Sequence, residues 1–576
     1  MIRFDEVSIR YSADGPDVLR RVSLELGEGQ LILLAGRTGS GKSTLLGAIN
    51  GHVPHFTGGV LTGRVEVAGL DTATHPPRDL AHLVGVVYQD PLAGFVTDTV
   101  EEELAYGMEQ MGVPAAVMRT RVEETMDILG LSELRSRALR TLSGGQQQRV
   151  AIGSVLAGGV RVLVLDEPTS ALDPVSSEEV LATLLRLVDD LGLTVVIAEH
   201  RLERVAGYAH RMILLDGRGG ATEGETGAVM AASPLVPPVA DLGRRAGWVP
   251  PPLTVREARR LAGPLRERLG GLEPGDYPRA PAGVHHPDVP PEEVAPAEVA
   301  VPAGRAVTRR RAAAWRRADP PGQASGLTAR AVSVAYGRLV AVREVSLAIP
   351  AGAVTVIMGR NGSGKSSLMW ALAGGLDPAG GTFMVDDRTV SDLGAAELRR
   401  LIRLVPQNAT DLLYLASVGE ECRAADQENG APAGHCARLL DELAPGVDPG
   451  RHPRDLSAGQ QLSLVLAIQL TGGPRVVLLD EPTRGLDYPA KASLVSILAG
   501  LAAGGRAVGV VTHDVEFAAE VADRIVVMAT GEVIQDDRAG EVLGTSALFS
   551  PQVARVLYPD RWLTAFQVGA ALAVTP

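Results

Sequence analysis

Two short stretches of the chain combine glycines with a lysine–serine pair at the spacing G-x-x-x-x-G-K-S. They are residues 36–43 and 359–366, and each lies between an apolar run and a helical pattern. Such a loop curls its N–H groups around phosphates at the positive end of the following helix. The loop contacts that we predict are Gly36, Gly39, Ser40, Gly41, Lys42, Ser43 and Thr44 in the first copy, and Gly359, Gly362, Ser363, Gly364, Lys365, Ser366 and Ser367 in the second.

Lysine usage supports this interpretation. Of the 55 basic residues only three are lysine, and two of these are Lys42 and Lys365. A compact ammonium on a flexible stem suits the β- and γ-phosphates, whereas a planar guanidinium fits the loop poorly. The alternative, a chance glycine-rich turn between a strand and a helix, would have to occur twice.

An acidic pair ends one apolar run in each half of the chain. These pairs are Asp166-Glu167 and Asp480-Glu481, and both precede Pro-Thr. An aspartate at the carboxyl end of a parallel strand beside a phosphate loop can hold Mg²⁺ together with the loop serine. The glutamate that follows is placed to polarise an attacking water, so Glu167 and Glu481 are the predicted catalytic bases. The alternative is an ordinary surface pair of acids.

A serine–glycine string lies 24 residues before each of these glutamates. A Ser-Gly-Gly turn that opens a helix presents a hydroxyl and N–H groups to an anion. In the first half this string resembles the signature of the ABC-type ATPases, which binds the γ-phosphate of an ATP held by the opposite ATPase domain. The positions concerned are Ser143, Gly144, Gly145 and Gln146 in the first half, and Ser457, Gly459 and Gln460 in the second.

The resemblance implies ATP and Mg²⁺ as cofactors and assigns further residues in both halves. Gln89 and Gln407 resemble the glutamines that sense Mg²⁺ and water, and with Ser43, Asp166, Ser366 and Asp480 they form the expected Mg²⁺ ligands. The family also has a switch histidine on the γ-phosphate, a D-loop aspartate and an aromatic residue that stacks on adenine. A lone histidine or tyrosine would more often be a packing or surface residue. The matching residues are His200 and His513, Asp173 and Asp487, and Tyr11 and Tyr336.

The recurrence of the same order of motifs indicates a duplicated domain. We predict an α/β fold with two P-loop NTPase domains, each with a mainly parallel core sheet, an antiparallel β-subdomain and a helical subdomain at roughly 95–145 and 412–455. The predicted domains are residues 1–235 and 326–548. Between them lies a proline- and arginine-rich linker, 236–325, with one possible helix at 253–269, and residues 549–576 form a tail. The two cysteines match no metal or redox spacing.

Charge and hydropathy restrict the function classes. The net charge of −13 argues against a generally basic nucleic-acid-binding protein. No run approaches the roughly 20 apolar residues that span a bilayer. We therefore expect any membrane role to depend on a partner.

The segments around the first loop resemble one subtype of the family. Residues 50–56 and 88–107 are similar to the ATPases of energy-coupling factor transporters, which import vitamins and transition-metal ions. That resemblance implies two membrane partners, an integral scaffold protein and a small substrate-binding protein, and a peripheral location on the cytoplasmic face of the membrane. It also implies that the two ATPase halves pair with each other and that no nucleic acid is bound. The transported substrate is not encoded in such a chain.

Two other classes remain open from the sequence. A twin-domain ATPase of a sugar or peptide importer would differ only in its partner. A soluble ABC protein acting on ribosomes would need a long, charged, helical linker, whereas this linker is rich in proline.

The acidic residues after each glutamine offer a hypothesis for partner docking. Residues 101–103 and 420–421 are glutamates, and they could form an acidic rim for an arginine of the scaffold protein. The alternative is that they are the first turn of a helix, where acidic residues favour the helix dipole.

Overall fold

The computed structural model describes residues 1–12, 15–170, 172–280 and 326–574. Its contacts divide the chain into two compact units. The first comprises Met1–Arg279, Thr483–Lys491 and Leu543–Pro576, and the second comprises Ala280–Pro482 and Ala492–Val542. The arginine-rich part of the predicted linker, within 281–325, lies outside the described residues.

The first unit contains a six-stranded sheet that carries the phosphate loop. Its neighbouring strands pair in parallel, except for the edge pair Ala221–Glu225 and Arg211–Leu215. The inner strands are almost continuous apolar runs because both faces of the sheet are buried. In spatial order the strands are Ala221–Glu225, Arg211–Leu215, Leu31–Gly36, Thr194–Ala198, Val162–Asp166 and Val84–Val87.

An antiparallel sheet packs beside this core. Its strands alternate buried and exposed residues because only one face is covered. The order is Leu19–Leu26, Ile2–Arg10, Val60–Val67 and Leu70–Asp71.

The helices of the first unit follow the predicted pattern. The phosphate-loop helix is Lys42–Ile49, and the predicted helical subdomain contains Val100–Gln110 and Ala115–Leu129. The serine–glycine string opens Gly144–Leu156. The other helices are His52–His55, Pro77–Leu80, Pro91–Gly94, Pro174–Leu191, Leu202–Val205, Thr226–Ala232, Pro238–Ala246, Val255–Leu269, Gln552–Leu557 and Ala565–Leu572.

The second unit repeats both sheets. Its antiparallel sheet has the order Leu339–Pro350, Gly326–Tyr336, Gly380–Val385 and Arg388–Thr389. Its mainly parallel sheet has the order Ile402–Val405, Val476–Asp480, Ala507–Val511, Val354–Met358, Arg524–Ala529 and Glu532–Arg538. The α/β fold predicted for each half is therefore confirmed.

The helices of the second unit follow the same order as those of the first. The insert contains Val418–Asn429 and His435–Leu443, and the second serine–glycine string opens Ala458–Leu470. The others are Lys365–Leu372, Ala395–Leu401 and Val515–Val521. Two helices contribute residues to both units, namely Tyr488–Ala503 and Ala539–Thr545.

Four helices from distant parts of the chain form one small core in the first unit. Pro238–Ala246 and Val255–Leu269 come from the predicted linker, and Gln552–Leu557 and Ala565–Leu572 come from the predicted tail. Their shared cluster includes Leu242, Leu265, Val553, Trp562 and Val568.

The boundaries between the two compact units therefore differ from the domain boundaries predicted from the sequence. The described parts of the segments predicted as a linker and a tail, residues 236–279 and 549–574, lie together in a packed helical module. Neither segment could bury its apolar face alone, so their shared core was not evident from the sequence.

The aromatic anchor of this module provides a stability prediction. Trp562 is almost fully buried, so Trp562→Ala is expected to lower the stability of the module by about 3–5 kcal/mol. Amide hydrogen exchange in helices Pro238–Ala246 and Val255–Leu269 should then accelerate. Tyr558→Ala is the matched control because that side chain is largely exposed. Unchanged exchange in the tryptophan variant would contradict the described packing.

Two further features bear on the expectations of no membrane-spanning segment and no cysteine motif. Among the described residues, none of the helices is long and apolar enough to cross a membrane. Cys422 and Cys436 are both buried in the insert of the second unit, and their thiols hydrogen-bond each other. The two cysteines are therefore neighbours, although their spacing matched no known motif.

Candidate nucleotide sites

The first phosphate loop has the backbone shape that its glycines allow. Gly39 and Gly41 have φ angles of 79° and 99°, which are strained for residues with a side chain. The Lys42 ammonium lies inside the loop and donates to the carbonyl oxygens of Gly36 and Arg37, each at 3.1 Å. Burial lowers the pKa of Lys42, and the carboxylates of Glu167 and Asp166 oppose that shift. The ammonium is therefore held in place inside the loop by backbone oxygens.

The second phosphate loop has the same geometry. Gly362 and Gly364 have φ angles of 78° and 94°. Lys365 Nζ donates to the carbonyl oxygens of Gly359 and Arg360 at 2.9 and 3.0 Å. The match indicates that both loops are shaped for the same ligand.

A serine and an aspartate meet beside each loop. Ser43 Oγ donates to Asp166 Oδ2 at 2.8 Å, and burial raises the pKa of Asp166. In the second unit Ser366 hydrogen-bonds Asp480, and burial raises the pKa of Asp480 to about 6. In each pair the positive charge of the loop lysine, Lys42 or Lys365, opposes this shift. Mg²⁺ prefers such oxygen ligands, so these pairs fit its binding.

The first predicted base, Glu167, lies at the centre of a polar cluster. His200 Nε2 is 2.8 Å from Glu167 Oε1. Gln89 Nε2 donates to Glu167 Oε2 at 3.3 Å and to Ser170 Oγ at 3.2 Å. Glu167 has a φ angle of 50°, an uncommon conformation for a residue with a side chain, and such strain often occurs at functional sites. The structure thus brings three of the predicted residues together.

The second predicted base, Glu481, has the same φ angle of 50°. His513 contacts it twice, through ring Nδ1 at 2.8 Å and through its backbone N–H at 3.3 Å, both to Oε2. Gln407 lies exposed after strand Ile402–Val405. The arrangement of base and histidine is therefore shared by the two units, but its hydrogen bonds differ in detail.

The two predicted adenine-stacking tyrosines occupy equivalent places. Tyr11 Oη lies 3.0 Å from Thr44 Oγ1, and Tyr336 Oη donates to Ser367 Oγ at 3.3 Å. Both rings are about half exposed, at 46% and 50%. Each ring is thus held beside a phosphate loop with a face open to a planar base.

Each serine of the serine–glycine strings caps a helix. Ser143 Oγ accepts from the Gln146 amide, and Ser457 Oγ accepts from the Gln460 amide, both at 3.3 Å. In each case the glutamine side chain returns a bond to the serine N–H. This capping box leaves the first N–H groups of the helix available to an anion.

The two D-loop aspartates cap the helices that follow them. Asp173 Oδ1 accepts from Ser176 N, and Asp487 Oδ1 accepts from Ala490 N, both at 3.0 Å. Within the first unit the other carboxylate oxygen of Asp487 accepts from the N–H of Thr38 at 2.8 Å. An aspartate from the second sequence copy therefore contacts the first phosphate loop.

The loops contain polar atoms that suit a bound phosphate. Ser40 Oγ and Ser363 Oγ are buried, and among the described residues they have no hydrogen-bond partner. A buried hydroxyl without a partner is costly, and a phosphate oxygen would satisfy it. ATP with Mg²⁺ therefore fits the residues present at each loop.

The proposed acidic rim is not what the structure shows. Glu103 and Glu421 are buried, and each accepts backbone N–H groups from the preceding loop: Val96 and Thr97 donate to Glu103, and Tyr414 and Leu415 donate to Glu421. The docking hypothesis is wrong for these two residues because their carboxylates are already satisfied inside the protein. Glu102 belongs to a capping box, as the helix-terminus alternative implied.

Sequence reasoning missed three polar residues around the first base. Ser170 contacts Gln89, and Thr169 and Glu199 form a hydrogen-bonded pair. Glu199 directly precedes His200 in the sequence, and that adjacency was the only available signal.

The sequence comparisons agree with this site. A family model described as ABC transporter matches residues 19–170 and 342–484. A Streptomyces coelicolor protein named an ABC transporter ATP-binding protein is 54% identical, and the match covers 99% of this chain and 100% of that protein. A Bacillus subtilis protein named for HMP/thiamine import is 28% identical, with 92% of this chain and 90% of that protein covered.

A solved structure shares the fold. It is an archaeal ribosome recycling factor in complex with a ribosomal stalk protein. Its TM-score is 0.54 at 19% identity, over 94% of this chain and 91% of that chain. At this identity the likeness concerns the fold alone.

Proposed function

The chain belongs to the ABC transporter family, as an ATP-binding protein and ATPase, and from this premise we propose that it powers a membrane importer of the energy-coupling factor type. The observation that carries the proposal is that two complete sets of ATPase residues lie in one chain, which matches an import ATP-binding protein over nearly its full length. The cargo is proposed to be a vitamin or a transition-metal ion. The substrate itself would be recognised by a membrane partner.

The residues at each loop define the roles in hydrolysis. Bound ATP with Mg²⁺ supplies the phosphoryl group and the cation that neutralises its charge. Lys42 and Lys365 would hold the terminal phosphates, and the Ser43–Asp166 and Ser366–Asp480 pairs would hold Mg²⁺ with Gln89 and Gln407. Glu167 and Glu481 orient the attacking water, and His200 and His513 hold these bases and contact the γ-phosphate.

We infer that the two ATPase halves pair, so that each ATP is held by both. Ser457 would complete the site at Lys42, and Ser143 would complete the site at Lys365. The hydrogen bond from Thr38 to Asp487 supports this arrangement, since it joins the first loop to a residue of the second copy. ATP binding would close the halves, and hydrolysis would release them and reset the transporter.

An exposed apolar surface lies beside Gln89 in the first unit. We define the aromatic surface as His52, Phe56 and Tyr88. The His52 ring lies 5.4 Å from that of Phe56, and Tyr88 Oη lies 3.4 Å from His52 Nδ1. Phe56 is 81% exposed, and Val96, in the loop before Val100–Gln110, is 62% exposed. Exposed apolar groups of this kind mark interaction sites, so we propose this surface as the site for the membrane scaffold protein.

Charge on the aromatic surface is expected to prevent assembly with the scaffold protein. Phe56→Asp should abolish co-purification with the membrane partner, because a carboxylate would be buried without a partner. ATP binding by the isolated chain should be retained. Leu191→Asp is the matched control, since Leu191 is also exposed and ends a different helix. Assembly by the Phe56→Asp variant would show that docking occurs elsewhere.

Co-purification tests the proposed function directly. The tagged chain is isolated from gently solubilised membranes and, in parallel, from the ribosomal fraction. We expect two integral membrane proteins to accompany it from the membranes. Recovery with ribosomes alone would favour the class of soluble ABC proteins and contradict the proposal.

A further inference from the structure

Glu199 is a buried carboxylate that the roles above do not use. It lies between strand Thr194–Ala198 and His200, and only 1% of it is exposed. Its Oε1 accepts from the N–H of Thr169 at 3.1 Å and also from the Thr169 hydroxyl. Its Oε2 accepts from the N–H of His200 at 3.2 Å. Glu199 thus joins the loop of the switch histidine to the turn that follows Glu167.

Arg204 extends this connection to a third element. Its guanidinium donates to the Thr169 carbonyl oxygen at 2.6 Å and to Ser177 Oγ at 2.8 Å. Ser177 belongs to helix Pro174–Leu191, which Asp173 caps. Burial raises the pKa of Glu199, and the positive charge of Arg204 opposes that shift. The turn, the histidine loop and the D-loop helix are therefore held by one set of polar contacts.

The second unit lacks this carboxylate. Counting from His513, the equivalent of Glu199 is Thr512 and the equivalent of Arg204 is Phe517. There the backbone N–H of His513 donates to Glu481 itself at 3.3 Å, in addition to the ring contact. In the first unit the same N–H is taken by Glu199, and Glu167 is held by the side chains of His200 and Gln89.

We propose that Glu199 is a positioning residue for ATP hydrolysis at the first phosphate loop. By accepting a hydrogen bond from the His200 N–H, Glu199 fixes the histidine loop. Glu167 is then held by the side chains of His200 and Gln89. The side chains of His200 and Gln89 can rotate away and free the Glu167 carboxylate to contact water. A backbone N–H cannot leave its acceptor unless the chain itself moves. The inference rests on the proposed ATPase role of Glu167.

The test uses the full chain with Glu481→Gln as the parent, so that hydrolysis comes from the first site. Glu199→Gln keeps the size of the side chain but replaces one acceptor by a donor, so it cannot serve both Thr169 and His200. We expect kcat to fall about tenfold or more while KM changes by less than about twofold, since alignment and not binding is lost. Equilibrium affinity for ATP should be unchanged.

Two further variants separate positioning from stability. Asp426→Asn is the matched control, because Asp426 is a buried carboxylate that accepts from the N–H groups of Gly434 and Cys436, away from either loop. It should lower the unfolding temperature and leave kcat unchanged. Glu199→Thr with Arg204→Phe installs the residues of the second unit and avoids an unpaired buried charge. This double variant should fold yet retain the low kcat of Glu199→Gln.

Hydrogen exchange without nucleotide provides an independent readout. The amides of His200 and Arg201 should exchange about tenfold faster in Glu199→Gln, because their acceptor is lost. The equivalent peptide around His513 should be unchanged. Unchanged exchange at His200, an unchanged kcat, or an equal rise in KM would overturn the positioning role. A Glu481→Gln parent without any hydrolysis would instead overturn the proposed role of Glu167, and with it the inference.

Discussion

The double variant Glu167→Gln with Glu481→Gln is expected to bind ATP as tightly as the unchanged chain and to lose its hydrolysis. Each glutamine keeps the shape of the base but cannot accept a proton from water, and general bases contribute a factor of about 10²–10⁴. Turnover should therefore fall by about a hundredfold or more. Phosphate release in steady state and equilibrium ATP binding are the two measurements.

A matched pair of glutamates controls for loss of charge. Glu178 and Glu532 are exposed and lie one in each unit, so Glu178→Gln with Glu532→Gln should leave turnover unchanged. If the Glu167 and Glu481 variant still hydrolysed ATP at the original rate, these two residues would not be the bases.

Removing the loop lysines is expected to abolish tight ATP binding. Lys42→Ala with Lys365→Ala deletes the ammonium that each loop holds on two carbonyl oxygens. A hydrogen bond to a charged group contributes about 1.5–3 kcal/mol, so affinity at each site should fall by about 10- to 100-fold. Titration with ATP and Mg²⁺ measures the effect, and each single variant should retain one site.

Arginine at the same positions should not restore binding. Its planar head cannot replace a compact ammonium inside the loop, so Lys42→Arg should resemble Lys42→Ala. Arg161→Ala is the control for lost positive charge, because Arg161 pairs with Glu28 on the surface. Full affinity in the double alanine variant would mean that phosphate is bound elsewhere.

The features that the sequence predicted best are those set by local chain geometry. In the loop around Lys42, glycines at fixed offsets dictate the backbone, and a strand and a helix must flank it. The pairing of Asp166 with Ser43 also followed, because the carboxyl ends of parallel strands lie at the same edge of the sheet. Prediction was reliable wherever a short stretch of chain determines its own shape.

The features that the sequence did not predict depend on contacts that residue spacing does not reveal, between distant residues and between near ones. Trp562 and Leu242 share one core although some 300 residues separate them, and neither segment is apolar enough to reveal it alone. Glu103 resembled a surface acid at the start of a helix, yet it is buried on the N–H groups of its own preceding loop. The sequence does not reveal from which backbone N–H groups a carboxylate accepts hydrogen bonds.

Glu199 shows the same limit within the duplicated site. The repeat aligned His200 with His513, and the exchange of Glu199 for Thr512 was visible in the sequence. The effect of this exchange on the histidine N–H was not visible, because the order of residues does not reveal which group accepts a hydrogen bond from a single N–H. The single variants Glu167→Gln and Glu481→Gln would measure the hydrolysis rate of each ATP site separately.

The most direct test of the account measures import by cells. Cells lacking this chain would be assayed for uptake of a panel of labelled vitamins and transition-metal ions, and then complemented with the unchanged chain or with the Glu167→Gln, Glu481→Gln variant. We expect that uptake of one compound is lost, that the unchanged chain restores it and that the variant does not. Unchanged uptake of every compound, together with impaired protein synthesis, would contradict the account.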